Sequence, residues 1–287
     1  MTHFEEGQAQ AGTRRPGLRD VVYGAAVGDA LGVPYEFRGR ESFTCTDMVS
    51  GGVHGQPAGT FSDDTSMLLA TCDSIRVKGR IDVDDMRERF NDWAMRGKYA
   101  VNHVVFDIGG TVSRALAQGV GCDDVRSNGN GSLMRIAPLA FTEASDDEVR
   151  AVSAITHGHA ISTESCVCFI ALLRGLVAGM PWEEALEDAI PAGREFAFLH
   201  EAASRPASQV RGTGFVLDTL GASIWCLANT DSYAECVRAA VNLGDDTDTT
   251  ACVAGALAGA AYGYDAIPAG WIDVLRGKDI IDTCLFA

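Results

Sequence analysis

Small and apolar residues recur at three- and four-residue spacing over residues 18–32, 63–78, 83–96, 104–119, 145–156, 160–178, 182–190, 214–228, 232–242 and 249–263, while alternating β-branched runs are almost absent. That period places the apolar side chains on one face of a helix, so the chain has little choice but to pack helix against helix. Several of these segments, Ala251 to Gly263 above all, are built from Ala and Gly, which lets neighbouring backbones approach closely. Gly and Pro punctuate the intervals, as at Gly51-Gly52, Gly179-Met180-Pro181 and Ile267-Pro268. No linker, fixed-period repeat or low-complexity block divides the 287 residues. The expectation is an all-α, single compact multi-helix domain over residues 17–287, preceded by a flexible tail over 1–16.

The first 15 residues are polar and lack a signal-peptide core, and no apolar run reaches the 18 or so residues of a membrane span. The nine cysteines are scattered, with no CxxC pair, which speaks against a disulfide framework and against a thiolate metal site. A cytoplasmic protein with no membrane partner is therefore expected. The charge, 23 Lys and Arg against 39 Asp and Glu for a net −16, argues against general nucleic-acid binding. A phosphate-bearing ligand would need help from bound cations or helix N-termini.

Two acidic clusters open helices. Phe61-Ser62-Asp63-Asp64-Thr65 precedes an apolar helix, and Ser62 is a natural N-cap with Asp63 and Asp64 in the favourable first turn. Gly244-Asp245-Asp246-Thr247-Asp248-Thr249-Thr250 opens another, and its carboxylates repel one another unless something positive sits among them. Capping explains each cluster singly. Together they could bring Ser62, Asp63 and Asp64 against Asp246, Asp248 and Thr249 as an all-oxygen site for two hard cations.

Two further segments stand out. Gly24 to Glu36 combines glycines suited to close helix packing with Pro34, which leaves Glu36 on a loop. Ser127-Asn128-Gly129-Asn130-Gly131-Ser132-Leu133-Met134-Arg135 exposes backbone amides suited to a pyrophosphate, although no strand precedes it and a third Gly of the dinucleotide fingerprint is missing. Between two helices, Thr156-His157-Gly158-His159 offers a substrate contact from His157 and nothing specific from His159.

In this order, Gly28-Asp29-Ala30-Leu31-Gly32 running to Glu36, Ser62-Asp63-Asp64-Thr65, Asn128 to Arg135, and Gly244 to Thr249 resemble the motifs of the ADP-ribosylglycohydrolase family, across about 220 residues. The resemblance implies a hydrolase that removes ADP-ribose from a modified acceptor, arginine on protein first among them, with serine, a nucleic-acid end or a small ester behind it. It implies two Mg²⁺ or Mn²⁺ held by Ser62, Asp63, Asp64, Asp246, Asp248 and Thr249. Ser127, Gly129, Asn130, Gly131, Ser132 and His157 would bind ADP-ribose, and Glu36, Asp63 and Asp248 would be catalytic, Glu36 as general acid or base or by ordering water. Two departures from the family pattern matter: Ser62 replaces a frequent Thr, and Asp245 replaces a frequent Gly. The variable loops 38–59 and 196–214 are expected to form the acceptor side. Two other readings compete: an ADP-ribose binder of the same fold without turnover, and a phosphatase using Asp246-Thr247-Asp248-Thr249-Thr250 as a DxDxT motif, which would require a preceding buried strand.

Overall fold

The computed structural model of the chain describes residues 15–287; of the tail expected over 1–16, all but Arg15 and Pro16 lies outside the described residues. The α-helices are α1 (Leu18–Gly32), α2 (Asp63–Lys78), α3 (Val83–Arg96), α4 (Gly110–Gln118), α5 (Asp146–Ser153), α6 (Ala160–Val177), α7 (Trp182–Ala189), α8 (Val216–Ala228), α9 (Tyr233–Val241), α10 (Thr247–Tyr262), α11 (Ala269–Val274) and α12 (Lys278–Cys284). Short 3₁₀ turns join them, and the described residues contain isolated β-bridges but no strand. The fold is all-α, as the helical periodicity requires.

Two helices lie at the centre. Every residue of α1 except Arg19 is buried, and α10 is buried from Thr247 through Ala260. They meet backbone to backbone. A Cβ placed on Gly24, Gly28 or Gly32, one turn apart along α1, would lie 2.3 Å from the Gly255 carbonyl oxygen, 2.0 Å from that of Ala251 and 2.4 Å from the Asp248 Cα. Gly255 and Gly259 answer from α10, 2.2 Å from the Gly24 oxygen and 2.3 Å from that of Asp20. At such distances any side chain larger than hydrogen would force the helices apart. Thr247 Oγ1 adds a pin, donating to the Gly32 carbonyl at 2.8 Å.

Three expectations need correction. The helix expected over 104–119 begins only at Gly110, because Asp107 stands at φ 56°, outside helical space, and the Gly109-Gly110 pair weakens any earlier start. The helices α11 and α12 near the C-terminus are too short for their periodicity to register. The 18 residues of α6 are long and apolar enough to cross a membrane. This helix packs against α5, α7, α8 and α10, and its Glu164 pairs with Arg150 at 2.6 Å, so it is a core helix whose apolar faces are used within the fold.

Candidate active site

The glycine contact delivers carboxylates to one place. Asp29, near the C-terminal end of α1, is fully buried and accepts hydrogen bonds from the Ser62 amide at 2.9 and 3.0 Å, the Thr65 amide at 3.0 Å and Thr65 Oγ1 at 2.6 Å. It thereby ties the start of α2 to α1. Burial raises its pKa to about 6, against the opposing pull of those hydrogen bonds. One oxygen each from Asp29, Asp64 and Asp248 lie within 4.8 Å of one another. Clusters far apart in sequence therefore converge, as the metal-site expectation requires.

Ser62 does cap α2, its hydroxyl accepting from the Asp64 amide at 3.3 Å and facing Asp64 Oδ2 at 3.0 Å. Thr249 Oγ1 reaches the same Asp64 oxygen at 3.3 Å. Asp246 occupies the N-cap position of α10 but makes no side-chain cap; its carboxylate turns instead to Asn130 Nδ2 at 2.9 Å. Asp64 Oδ1 and Asp248 Oδ2 are buried with no hydrogen-bond partner among the described residues. Burial, then neighbouring carboxylates, push Asp63, Asp64 and Asp248 well above the usual carboxylate range. A buried anion without a partner is costly, so two orphaned oxygens among mutually repelling carboxylates fit an absent cation. All-oxygen donors from Asp, Ser and Thr suit a hard divalent ion.

These groups open on a cleft of about 270 Å³ whose walls include Glu36, Phe37, Asp63, Asp107, Gly129, Asn130, Gly131, His157, Gly214, Asp246 and Thr249. A larger cleft of about 750 Å³, lined by Asp73, Lys98, Tyr99 and Arg276 among others, shares no residue with it. The Gly129 and Gly131 amides donate to no protein acceptor among the described residues, whereas the Asn130 amide is fixed on the Gly214 carbonyl at 3.0 Å. His157 is buried behind the two glycines, its Nδ1 2.8 Å from Thr156 Oγ1, and Cβ atoms at Gly129 and Gly131 would come within 3.5 Å of its Nε2. Burial, with Arg135 and Arg114 nearby, lowers His157 to about 3, so the ring is neutral. Arg135, fully buried over the Phe90 ring, donates to the carbonyls of Gly131, Val152 and Ser153 and so holds this loop on the α5–α6 connection.

Two expected ligand contacts lie elsewhere. Ser127 and Ser132 are fully buried and do not line the cleft: Ser127 Oγ serves Arg114 at 2.6 Å and Asp124 at 2.7 Å, and Ser132 Oγ meets Ser153 Oγ at 2.9 Å. They brace the loop from behind. His159 Nδ1 caps α6, accepting from the Ile161 amide at 3.3 Å.

Glu36 faces the cleft with a partner that the sequence reading missed. Its Oε2 is 2.5 Å from His54 Nε2, and the same nitrogen is 3.8 Å from Asp107 Oδ1. Burial, then Asp107 and Asp246, push Glu36 up to about 9. His54 sits alone in the Gly-rich stretch Gly51-Gly52-Val53-His54-Gly55, and Asp107 was hidden in the expected helix; the Gly109-Gly110 pair was the available sign that this segment is a loop. Of the two loops expected on the acceptor side, 38–59 reaches the cleft only through the contact of His54 with Glu36 and Asp107, and of 196–214 only Gly214 lines it, since residues 194–204 coil into a 3₁₀ helix packed on α8. Asp107 and Gly109 line the cleft as well.

A helical frame holding two acidic helix starts over a glycine-lined cleft defines a class, and comparison agrees: the ADP-ribosylglycohydrolase family model matches residues 12–286, and the chain belongs to that family of glycosidic-bond hydrolases. Among relatives, the chain is 33% identical over 283 residues to the ADP-ribosylarginine hydrolase Tri1 of Serratia proteamaculans, covering 92% of this chain and 76% of that one. It is 31% identical over 286 residues to the ADP-ribosyl-[dinitrogen reductase] glycohydrolase of Rhodospirillum rubrum, covering 92% of each. A solved ADP-ribosylglycohydrolase-related protein complex superposes with a TM-score of 0.78 at 32% identity, over 92% of this chain and 94% of that one. The DxDxT reading falls with the absence of a strand among the described residues, since residues 239–241 before the motif end α9 and the motif itself opens α10.

Proposed function

We propose that the chain hydrolyses the bond between ADP-ribose and the arginine of a modified protein, with two Mg²⁺ or Mn²⁺ ions in the buried acidic site. The observation that carries this reading is the pair of partnerless oxygens, Asp64 Oδ1 and Asp248 Oδ2, within the carboxylate cluster beside a cleft that the Gly129 to Gly131 loop borders. The arginine acceptor follows the printed activity of the Serratia relative. Ser62, Asp63, Asp64, Asp246, Asp248 and Thr249 would hold the ions, with Asp29 fixing the Ser62 and Thr65 backbone from behind. Such ions supply charge stabilisation and orient a ribose and a water.

The chain's own groups do the rest. The free amides of Gly129 and Gly131 accept the diphosphate as hydrogen-bond donors, and neutral His157 stands behind them without repelling or attracting a second charge. Asn130 links this loop to Asp246, so the position of the diphosphate and that of the acidic site are set together. Glu36, pushed up to about 9 and braced by His54, would hold the proton that the departing acceptor nitrogen receives. Asp107, tied to the same histidine, is placed to take a proton from the attacking water. Nine buried, unpaired cysteines support a reducing, cytoplasmic setting.

Release of ADP-ribose from an ADP-ribosylarginine peptide, followed with Mg²⁺, with Mn²⁺ and after chelation, tests the reading. Turnover that persists after exhaustive chelation overturns the metal assignment. ADP-ribose binding without release from any conjugate would leave the non-catalytic binder as the function.

A further inference from the structure

One aromatic side chain lining the cleft, Phe37, buries nothing that the fold needs. Phe37 is 67% exposed and yet stands at φ 62°, in the left-handed region, where a residue with a Cβ is strained by about 1 kcal/mol. Its amide is fixed on the Asp245 carbonyl at 2.7 Å, and the Asp245 amide returns to the Arg38 carbonyl at 2.9 Å, so the backbone beside Glu36 is clasped to the loop that opens α10. A ring held at this cost and left in solvent buries no core surface. The Phe37 ring lies 6.2 Å from that of His54, and the His54 ring lies 5.0 Å from Phe106. His54 is also the residue that contacts the Glu36 and Asp107 carboxylates. Among the described residues, no lysine or arginine lines the cleft.

We propose that Phe37, Phe106 and His54, with the carboxyl groups of Glu36 and Asp107, form the subsite that receives the guanidinium of the acceptor. The inference rests on the arginine reading above and adds the residues that would recognise it. A guanidinium is a planar, delocalised and weakly hydrated cation; it stacks on aromatic faces and pairs two N–H groups with a carboxylate. A hydroxyl-linked acceptor offers neither a cation nor a face. Glu36 and Asp107 lie outside the Asp29, Asp64 and Asp248 triad and group instead with His54, which leaves their carboxyl oxygens as hydrogen-bond acceptors for the acceptor side. The bracing by His54 keeps the two carboxylates together at the mouth while Phe37 and Phe106 supply the apolar faces.

The two halves of the substrate separate the two halves of the site. Phe37→Ala and Phe106→Ala, each measured on full-length protein with its metal, should raise KM for an ADP-ribosylarginine peptide roughly tenfold, a loss within the range of one desolvated cation–π contact. Inhibition by Nα-acetylarginine amide should weaken by a similar factor, and inhibition by free ADP-ribose should change less than twofold; Phe37→Tyr should restore the arginine-side values. If Phe37→Ala and Phe106→Ala leave both arginine-side values unchanged while the wild type turns the peptide over, this subsite is overturned and the arginine reading stands. An equal loss of ADP-ribose affinity also overturns it, as damage to the whole cleft. A wild type that releases nothing from ADP-ribosylarginine overturns the arginine reading, and this inference with it.

Discussion

Replacing Asp248 by Asn should make the metal-free protein more stable while destroying the site. The side chain is fully buried, its Oδ2 has no partner, and its ligand-competent oxygen lies within 4.8 Å of one from Asp29 and one from Asp64. At that separation two ionised carboxylates repel by about 3.5 kcal/mol at an effective dielectric constant of about 20. Protonation relieves part of this, since burial and neighbouring charge hold Asp248 and Asp64 well above the usual carboxylate range. Because their folded pKa values are raised, the folded state binds more protons than the unfolded one above the ordinary carboxylate range, and stability falls as pH rises through that window. The relief from Asp248→Asn should therefore be small at pH 5 and reach roughly 1–3 kcal/mol at pH 8, a rise of about 3–10 °C in Tm for a domain of this size. The new amide can also donate to a neighbouring carboxylate oxygen. Thermal unfolding of chelated wild type and variant at both pH values, then with Mg²⁺ added, measures this directly. The wild type should gain stability from Mg²⁺ and the variant should gain none. A chelated variant that melts below the wild type at pH 8, or one that keeps the Mg²⁺-induced shift, refutes the account of a frustrated acidic cluster awaiting cations.

Gly28→Ala should cost about 3 kcal/mol or more in denaturant unfolding and abolish Mg²⁺ binding, because the new methyl would stand 2.0 Å from the Ala251 carbonyl oxygen and separate α1 from α10; a variant of wild-type stability would show that the helices can slip apart freely. Asp245→Gly should raise stability by about 0.5–1 kcal/mol, since Asp245 is exposed and stands at φ 62°, a conformation that glycine adopts without strain; an unchanged or lower denaturation midpoint would contradict this. His157 should stay neutral in an NMR titration down to about pH 4, its pKa lowered to about 3 by burial and nearby arginines. Because a depressed histidine pKa leaves the unfolded chain with more bound protons, this group should withdraw stability as pH falls from about 6.5 towards 3; titration near 6.5 would place the ring in water instead.

The sequence carried the frame and the metal side plainly. Helical spacing in α1, α2 and α10 is long and regular, and each acidic cluster sits where its helix begins, so Asp63, Asp64, Asp246 and Asp248 can be paired from the sequence alone. Asp29 was visible inside its motif, but its role depends on a contact with the Ser62 and Thr65 amides across 33 and 36 residues, which no local pattern encodes. His54 and Asp107 were harder still. Each is a single polar residue in an irregular segment, and their common partner Glu36 is reached only when two loops fold over the same edge of the cleft. Ser127 and Ser132 show the converse: a Gly-rich loop advertises its exposed amides, yet nothing in its composition distinguishes a hydroxyl that faces the ligand from one that faces inward.

The abutment of α1 on α10 fixes the spacing of Asp29 and Asp248 through main-chain atoms alone. Side-chain repacking elsewhere cannot move these two backbone anchors apart, so the acidic site is insulated from drift in the rest of the molecule. Change is thereby channelled to the margins, where a largely exposed segment, 38–59, is moored to the frame through Arg40 on the Leu243 carbonyl and His54 on Glu36.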